Sequence, residues 1–162
     1  MLYADLIMRL TQATRPYEVI EGSTNILRDR WIDITTSENL VYNKRNFMKN
    51  VNQMVSEFDR LEITKEKKPK VGIVGEILVK YHPAANNHLA ELLEREGAEV
   101  VIPDLTDFMM YSFKNARAKA DKLSKSQFTA FVCEMGISYI ESYRKFVREA
   151  LAGTRFIVPE KI

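Results

Sequence analysis

Two short β-branched runs, separated by a leucine-rich helical pattern, constrain the fold of this chain more than any other feature. The first run is VGIV at residues 71–74, and the second is EVVIP at residues 99–103. Between them, three leucines share one face of a helix predicted over residues 86–96, with Gly97 at its end. A strand, a helix and a second strand over so short a segment form a right-handed βαβ unit with parallel strands. The sequence therefore predicts an α/β fold built on a partial Rossmann-like parallel sheet.

Helical patterns precede the βαβ unit. Residues 3–14 carry apolar side chains at helical spacing, and Pro16 stops that run. Ser23 or Thr24 is a candidate cap for a second helix, and a third helix is predicted from about Asn43. The apolar stripe of the third helix consists of Phe47, Val51, Met54, Val55 and Phe58.

Helical patterns also follow the βαβ unit. Residues 108–123 are amphipathic and basic, and a longer helix is predicted over residues 126–151, ended by Gly153. Residues 155–159 could add a short edge strand. Cys133 lies on the long helix and is expected to be a small core residue. The apolar positions of the long helix are Phe128, Phe131, Val132, Met135, Tyr139, Tyr143 and Val147.

The lysine-rich run KEKKPK at residues 65–70 marks the clearest boundary in the chain. We interpret it as a solvated connector rather than a phosphate-binding patch. The predicted organisation is a helical lead-in over residues 1–64, this connector, and an α/β subdomain with a long C-terminal helix over residues 71–162.

Composition indicates a soluble, cytoplasmic protein. Hydrophobic residues make up 46% of the chain and charged residues 28%, and the net charge is only +2. This balance favours neither a nucleic acid nor a membrane as partner. No apolar run approaches the roughly 18 residues of a membrane span, and the N-terminal segment does not resemble a signal peptide. The single cysteine excludes an internal disulfide and any metal site built from several thiolates of this chain.

The segment GEILVKYHPAANNH at residues 75–88 follows the first predicted strand, where open α/β sheets bind ligands. It lacks the three glycines of a dinucleotide loop, and its two histidines have no fixed third ligand for zinc. Acid–base chemistry remains open, with Glu76 and His82 as the candidate catalytic residues.

A purely structural interpretation of the same loop remains equally open. Glu76 could pair with Lys80, and Asn86 or Asn87 could cap the following helix. His82 could simply bond a nearby carbonyl oxygen. The loop is longer than a plain βα connection of about 2–6 residues, which is why a site remains a serious alternative.

Two parallel strands are too few for a complete sheet of this kind. We therefore expect either that the chain dimerises or that it is a segment of a longer protein, and we favour the longer protein, with dimerisation of the isolated chain as a consequence. Two alternatives from other classes are an independent interaction module and a small enzyme that uses Glu76 and His82.

The run KVGIVGEILVKYHPAANNHLAELLEREGAEVVIPDLTDFMMY, at residues 70–111, resembles the dehydratase-like region of the CoA-substrate-specific enzyme activases. That region is similar to 2-hydroxyacyl-CoA dehydratase subunits, such as those acting on 2-hydroxyglutaryl-CoA. The opening MLYADLIMRLTQATRPYEV also looks like the helical lead-in to it. Proteins of this group couple ATP hydrolysis to low-potential electron transfer and carry a cysteine-bound iron–sulfur cluster.

The resemblance implies that this chain is one part of such a protein and is inactive alone. The cluster and ATP are expected in the complete protein, because this chain lacks the actin-like phosphate motifs and has only Cys133 as a thiol. The implied partners are other subdomains of the same polypeptide and an acyl-CoA. In the loop, Glu76 and His82 would handle hydrogen bonds or protons at the cleft. The implied cleft-lining residues are Gly75, Lys80, Asn86 and Asn87.

Overall fold

The computed structural model describes residues 1–38, 40, 43–122 and 127–157. These residues form a helix-dominated, mixed α/β architecture with one two-stranded parallel sheet. The N-terminal helices are α1 (Leu2–Thr14), α2 (Ser23–Thr36) and α3 (Lys44–Asp59). The central elements are β1 (Lys70–Gly72), α4 (Ile77–Tyr81), α5 (Leu89–Arg95) and β2 (Glu99–Val101). The last two helices are α6 (Leu105–Lys122) and α7 (Gln127–Leu151).

The main hydrophobic core lies between α1, α2, α3 and the C-terminal end of α7. All five members of the apolar stripe predicted for α3 are buried in it, which confirms that prediction. Burying such a stripe provides most of the stability of an amphipathic helix. The other buried members of the cluster are Leu6, Ile7, Leu10, Trp31, Leu151 and Phe156.

Two helix starts show how the sequence caps its elements. Asn43 caps α3, since its side-chain oxygen accepts a hydrogen bond from the Asn46 amide at 2.8 Å. The start of α2 differs from the prediction, because neither Ser23 nor Thr24 caps it. The Glu18 carboxylate instead accepts hydrogen bonds from the Gly22 amide at 2.8 Å and the Thr24 amide at 2.9 Å. A carboxylate from the preceding turn thus satisfies the free amides of the first helical turn.

The two strands pair in parallel, as the βαβ pattern predicts, with Val71 opposite Val100 in the register. The first strand is shorter than predicted and is not buried on both faces. It ends at Gly72, and Val74 lies beyond it with 80% of its surface exposed. The described residues place no third strand beside β1, whereas α1 packs against β2, where Val100 is buried.

Helices α6 and α7 pack antiparallel, since Arg117 pairs with Glu134 and Asp107 pairs with Arg144. The C-terminal half of α7 also packs against α3. Cys133 is buried, which confirms its assignment as a small core residue. Residues 155–157 form a turn rather than the predicted edge strand, and residues 158–159 lie outside the described part of the chain. The arrangement places residues from both ends of the sequence in one core. The division at residues 65–70 remains a prediction.

Candidate functional site

In the predicted loop, Glu76 caps α4. Its Oε2 atom accepts hydrogen bonds from the Leu78 amide at 3.0 Å and from the Val79 amide at 3.3 Å. Such a cap satisfies amides that the helix itself leaves free. Glu76 therefore has a structural role as a helix cap. The structural role considered from the sequence was a different one, an ion pair with Lys80. Among the ion pairs of the described residues, none joins Glu76 to Lys80.

His82 lies at the opposite end of the same five-residue helix, and its side chain is exposed. Five residues of α-helix span about 7.5 Å, so the two candidate catalytic residues bracket α4 rather than sharing one face of it. Lys80 is buried, and its Nζ atom lies 4.7 Å from the centre of the Tyr81 ring.

Asn86 connects α4 to α5. Its Oδ1 atom accepts a hydrogen bond from the Leu89 amide at 3.2 Å, and its Nδ2 atom donates to the Val79 carbonyl at 2.9 Å. Asn87 and Gly75 are exposed residues with positive φ, at 55° and 151°. Gly75, Asn86 and Asn87 thus shape the backbone of the loop, and none of the residues predicted to line a cleft borders the two cavities of about 490 and 480 Å³ beside α1.

A cavity of about 490 Å³ lies between α1, the start of α6 and the C-terminal half of α7. Its lining combines apolar and charged side chains. The apolar lining is Leu2, Leu6, Val147, Leu151, Ala152 and Ile157. The polar lining is Asp5, Arg9, Asp104, Thr106, Asp107, Arg144 and Arg148.

Asp5 joins α1 to α6 at this cavity. Its carboxylate accepts hydrogen bonds from the Leu105 amide at 3.0 Å and the Thr106 amide at 2.9 Å, and the Thr106 hydroxyl also donates to it. Asp5 is itself buried, and it serves as the cap of a helix that begins a hundred residues later. The positive end of the α6 dipole compensates its charge.

Asp104 is the most perturbed carboxyl group of the site. Burial raises its pKa to about 6, the Arg9 guanidinium paired with it opposes that rise, and Asp5 and Asp107 add to it. Its Oδ1 atom is buried and has no hydrogen-bond partner in the described part of the chain. A carboxyl group with such a pKa exchanges its proton close to neutral pH, as acid–base chemistry requires.

Tyr81 brings the predicted loop and Asp104 to the same edge of the sheet. Its hydroxyl donates a hydrogen bond to the carbonyl of Pro103, the residue before Asp104. Burial raises the pKa of Tyr81 to about 12, and the charges of Asp5, Asp104 and Asp107 contribute to the rise. The hydroxyl therefore stays protonated, and it connects α4 to the segment that follows β2.

Sequence reasoning missed Asp104, although a usable signal was present. Asp104 follows the second strand just as the predicted loop follows the first, and both positions lie at the carboxyl end of a parallel sheet. The arginines that approach it come from α1 and α7, and no local pattern in the sequence indicates that proximity.

The described residues do not fit the iron–sulfur cluster that the resemblance implies. They contain one thiol, on Cys133, and no group of three or more histidine, cysteine, aspartate or glutamate side chains arranged to hold a metal ion. A four-iron cluster is held by several thiolates. In the same described ranges, no helix combines the length and the apolar character needed to cross a bilayer.

Comparisons of the chain with protein-family models, curated proteins and solved structures give no match.

Proposed function

We propose that this chain forms one wall of the acyl-CoA and cluster cleft in a 2-hydroxyacyl-CoA dehydratase-like protein, and that it is not active alone. The proposal rests on the resemblance of residues 70–111 and on the surface beside β1. In this proposal a neighbouring subdomain packs on that surface and completes a Rossmann-like sheet. The cluster ligands and the ATP-binding module belong to other parts of the assembly.

The observation that supports this proposal best is an exposed apolar run directly after β1. Val74 is 80% exposed, Leu78 is 61% exposed, and Val79 on the same short helix is also exposed. Val101 adds an exposed side chain at the end of the paired strand. Exposed apolar side chains this close together in the sequence favour an interaction surface over a solvated one.

Glu76 and His82 have a defined place in this proposal. Both are exposed at the border of the apolar run, so a subdomain that packs there would bring them to its edge. We propose that His82 bonds a group of the substrate or partner across this border and that Glu76 fixes α4. Asp104 would supply a proton-exchanging group at the same edge of the sheet.

The native protein provides the direct test. It is purified without oxygen from its source through an antibody against this chain, and its mass, iron and acid-labile sulfide are measured. We expect an assembly much larger than 18.8 kDa that contains about four iron atoms per cluster. An iron-free protein of the mass of this chain would overturn the proposal.

A pair of substitutions tests the surface itself in that native assembly. Changing Val74 and Leu78 to lysine should release the chain's neighbour, because a buried ammonium group costs several kcal/mol. The matched control is Ile26→Lys, at a position on α2 that is 74% exposed. Size-exclusion chromatography and circular dichroism report assembly and fold. Intact assembly with folded double-variant protein would contradict the proposed surface.

A further inference from the structure

The cavity of about 490 Å³ between α1, α6 and α7 is large enough to hold a small molecule. Ligand pockets in proteins typically measure about 300–1,000 Å³ and combine an apolar lining with a few polar groups. Leu6 and Leu151, which line this cavity, belong to the buried main core, so the core fixes this part of its shape. A cavity that exists before a ligand arrives reduces the free energy lost on binding.

The acceptor oxygens of the cavity lining are largely occupied or buried. Both oxygens of Asp5 accept hydrogen bonds from the first turn of α6. Asp104 is bound to Arg9 through Oδ2, and its Oδ1 atom is buried away from any ligand in the cavity. Asp107 accepts a hydrogen bond from Arg144, and its side chain is 52% exposed, so water reaches its other oxygen. The carboxylates of the lining therefore have little need of a donor from a ligand.

The arginines of the lining, in contrast, have N–H groups to spare. A guanidinium carries five N–H donors in a planar fork. Arg9 uses only Nη2 in its described contacts, and Arg144 uses Nη1 for Glu141 and Nη2 for Asp107. In the described part of the chain, Nε and Nη1 of Arg9 and Nε of Arg144 have no hydrogen-bond partner. The two side chains are only 29% and 23% exposed, so water replaces the missing partners incompletely. The lining therefore offers a ligand more donors than acceptors.

We propose that this cavity binds a small monocarboxylate with an apolar chain, with the carboxylate on Arg9 and the chain against the apolar side chains of the lining. A carboxylate matches a guanidinium because both groups are planar and form two parallel hydrogen bonds, and bonds between charged groups are about twice as strong as neutral ones. Asp104 takes a single bond from Arg9, which leaves a pair of N–H groups for the ligand. The site is separate from the surface beside β1, because the cavity lining contains none of the exposed apolar residues of that surface.

The charges around Arg9 make this binding depend on pH. A bound carboxylate lies on the same guanidinium as Asp104, and two negative charges so close repel each other. The pKa of Asp104 is raised to about 6 by burial, so a proton removes the competing charge in slightly acidic solution. The affinity for the ligand should therefore fall as the pH rises from 6 to 8. The charged and titratable groups that face Asp104 are Arg9 and Asp5 of α1, Tyr81 of α4, Asp107 of α6 and Arg144 of α7.

Titration of the 162-residue chain with octanoate at pH 6, followed through amide chemical shifts in two-dimensional NMR spectra, tests the class of ligand. We expect a dissociation constant of about 10–100 μM, since a preformed cavity receives the whole molecule. The shifts should concentrate at residues 2–9, 104–107 and 144–152. Each methylene removed from the ligand should weaken binding about fourfold.

Octylamine carries the opposite charge and octanamide is a neutral acyl compound, so these two compounds are the matched controls. Both should bind at least about tenfold more weakly than octanoate. Equal binding of either control, shifts confined to other residues, or no saturable shifts with 1 mM octanoate would refute the assignment.

Substitutions test the role of Arg9. Arg9→Gln should weaken octanoate binding at least about tenfold, because a charged pair of hydrogen bonds is lost. That variant leaves Asp104 buried without its partner, so Arg9→Gln combined with Asp104→Asn, which removes both charges, is the second variant. It should keep the wild-type circular dichroism spectrum and still lose binding. Arg45→Gln, at an exposed position of α3, is the matched control and should bind as wild type does.

Asp104→Asn alone should bind octanoate equally well at pH 6 and pH 8, whereas the wild-type affinity should fall. Wild-type affinity in the folded double variant, or an unchanged pH dependence in Asp104→Asn, would show that the carboxylate does not bind beside Asp104. Chains with lysine at positions 74 and 78 should bind octanoate normally, which separates this result from the proposed function.

Discussion

Asp104 shows how one side chain acquires an unusual acidity from its surroundings. The residue is placed by the end of β2, but burial beneath α1 and α7 is what raises its pKa to about 6. A raised carboxyl pKa means that the folded protein binds the proton more tightly than the unfolded chain does. The associated stability is complete below the ordinary pKa of 3.8 and is lost as the pH rises through 6.

Asp104→Asn should therefore stabilise the protein in a pH-dependent way. At pH 4 the wild-type carboxyl group is already protonated, so the variant should differ little in its free energy of unfolding. By pH 8 the variant should gain up to about 3 kcal/mol relative to wild type, which corresponds to about two pKa units. Urea unfolding at pH 4, 6 and 8 measures this, with Asp33→Asn at an exposed position of α2 as control. A constant difference across this range would contradict the assigned environment.

Single residues also show the limit of prediction from the sequence. A helix start near Asn43 and Cys133 as a core residue follow from local patterns, and the structure confirms both. Asn86, a candidate cap, accepts a hydrogen bond from the Leu89 amide, but His88 holds the N-cap position of α5. The environment of Asp104 could not be predicted, because Arg9 lies 95 residues away in the sequence. Side chains brought together by packing leave no local pattern.

Among the elements, α3 depends most on its apolar stripe. Met54 is fully buried at the centre of the core, so Met54→Ala should lower the free energy of unfolding by about 2–5 kcal/mol. The exposed Ile26→Ala on α2 should change it by less than about 0.5 kcal/mol. Thermal and urea unfolding give both values. Similar losses from the two substitutions would show that α3 does not organise the core.

The elements were predicted well where their periodicity was strong. The stripe of α3, the long helix α7 and the parallel pairing of the two strands are all confirmed. The length and burial of the first strand were overestimated, because a β-branched run does not reveal how many other strands lie beside it. Similarly, the helical period of α7 predicted its apolar stripe, and the N-terminal half of that stripe is exposed in the single chain. Periodicity predicts which face is apolar, and it does not identify what covers it.

At the scale of the whole molecule, stability should be uneven. The buried core cluster contains residues of α1, α2 and α3, the last residue of α7 and Phe156, and none of α4 or α5. Amides of α1 and α3 should therefore exchange with solvent at least tenfold more slowly than those of α4 and α5. Hydrogen exchange followed by mass spectrometry measures the difference. Uniform protection across these helices would mean that the molecule opens only as one unit.

Polar contacts nevertheless connect the N-terminal helices to the segment that contains α5 and β2. Arg15 at the end of α1 makes a bidentate ion pair with Glu94 of α5, at 2.7 and 2.9 Å. Tyr17 donates a hydrogen bond to Glu99 of β2 at 2.8 Å. These contacts cross the predicted boundary at residues 65–70, and the division itself remains a prediction.

The cap that Asp5 provides to α6 has a consequence for how the chain folds. During synthesis Asp5 is made well before the amides that will donate to it, which lie 100 residues downstream. Until the ribosome has made that stretch, the carboxylate stays hydrated and the leucines beside it lack their final neighbours. The contact between α1 and α6 can therefore form only after both helices have been made, so a nascent chain halted before Leu105 should lack this cap.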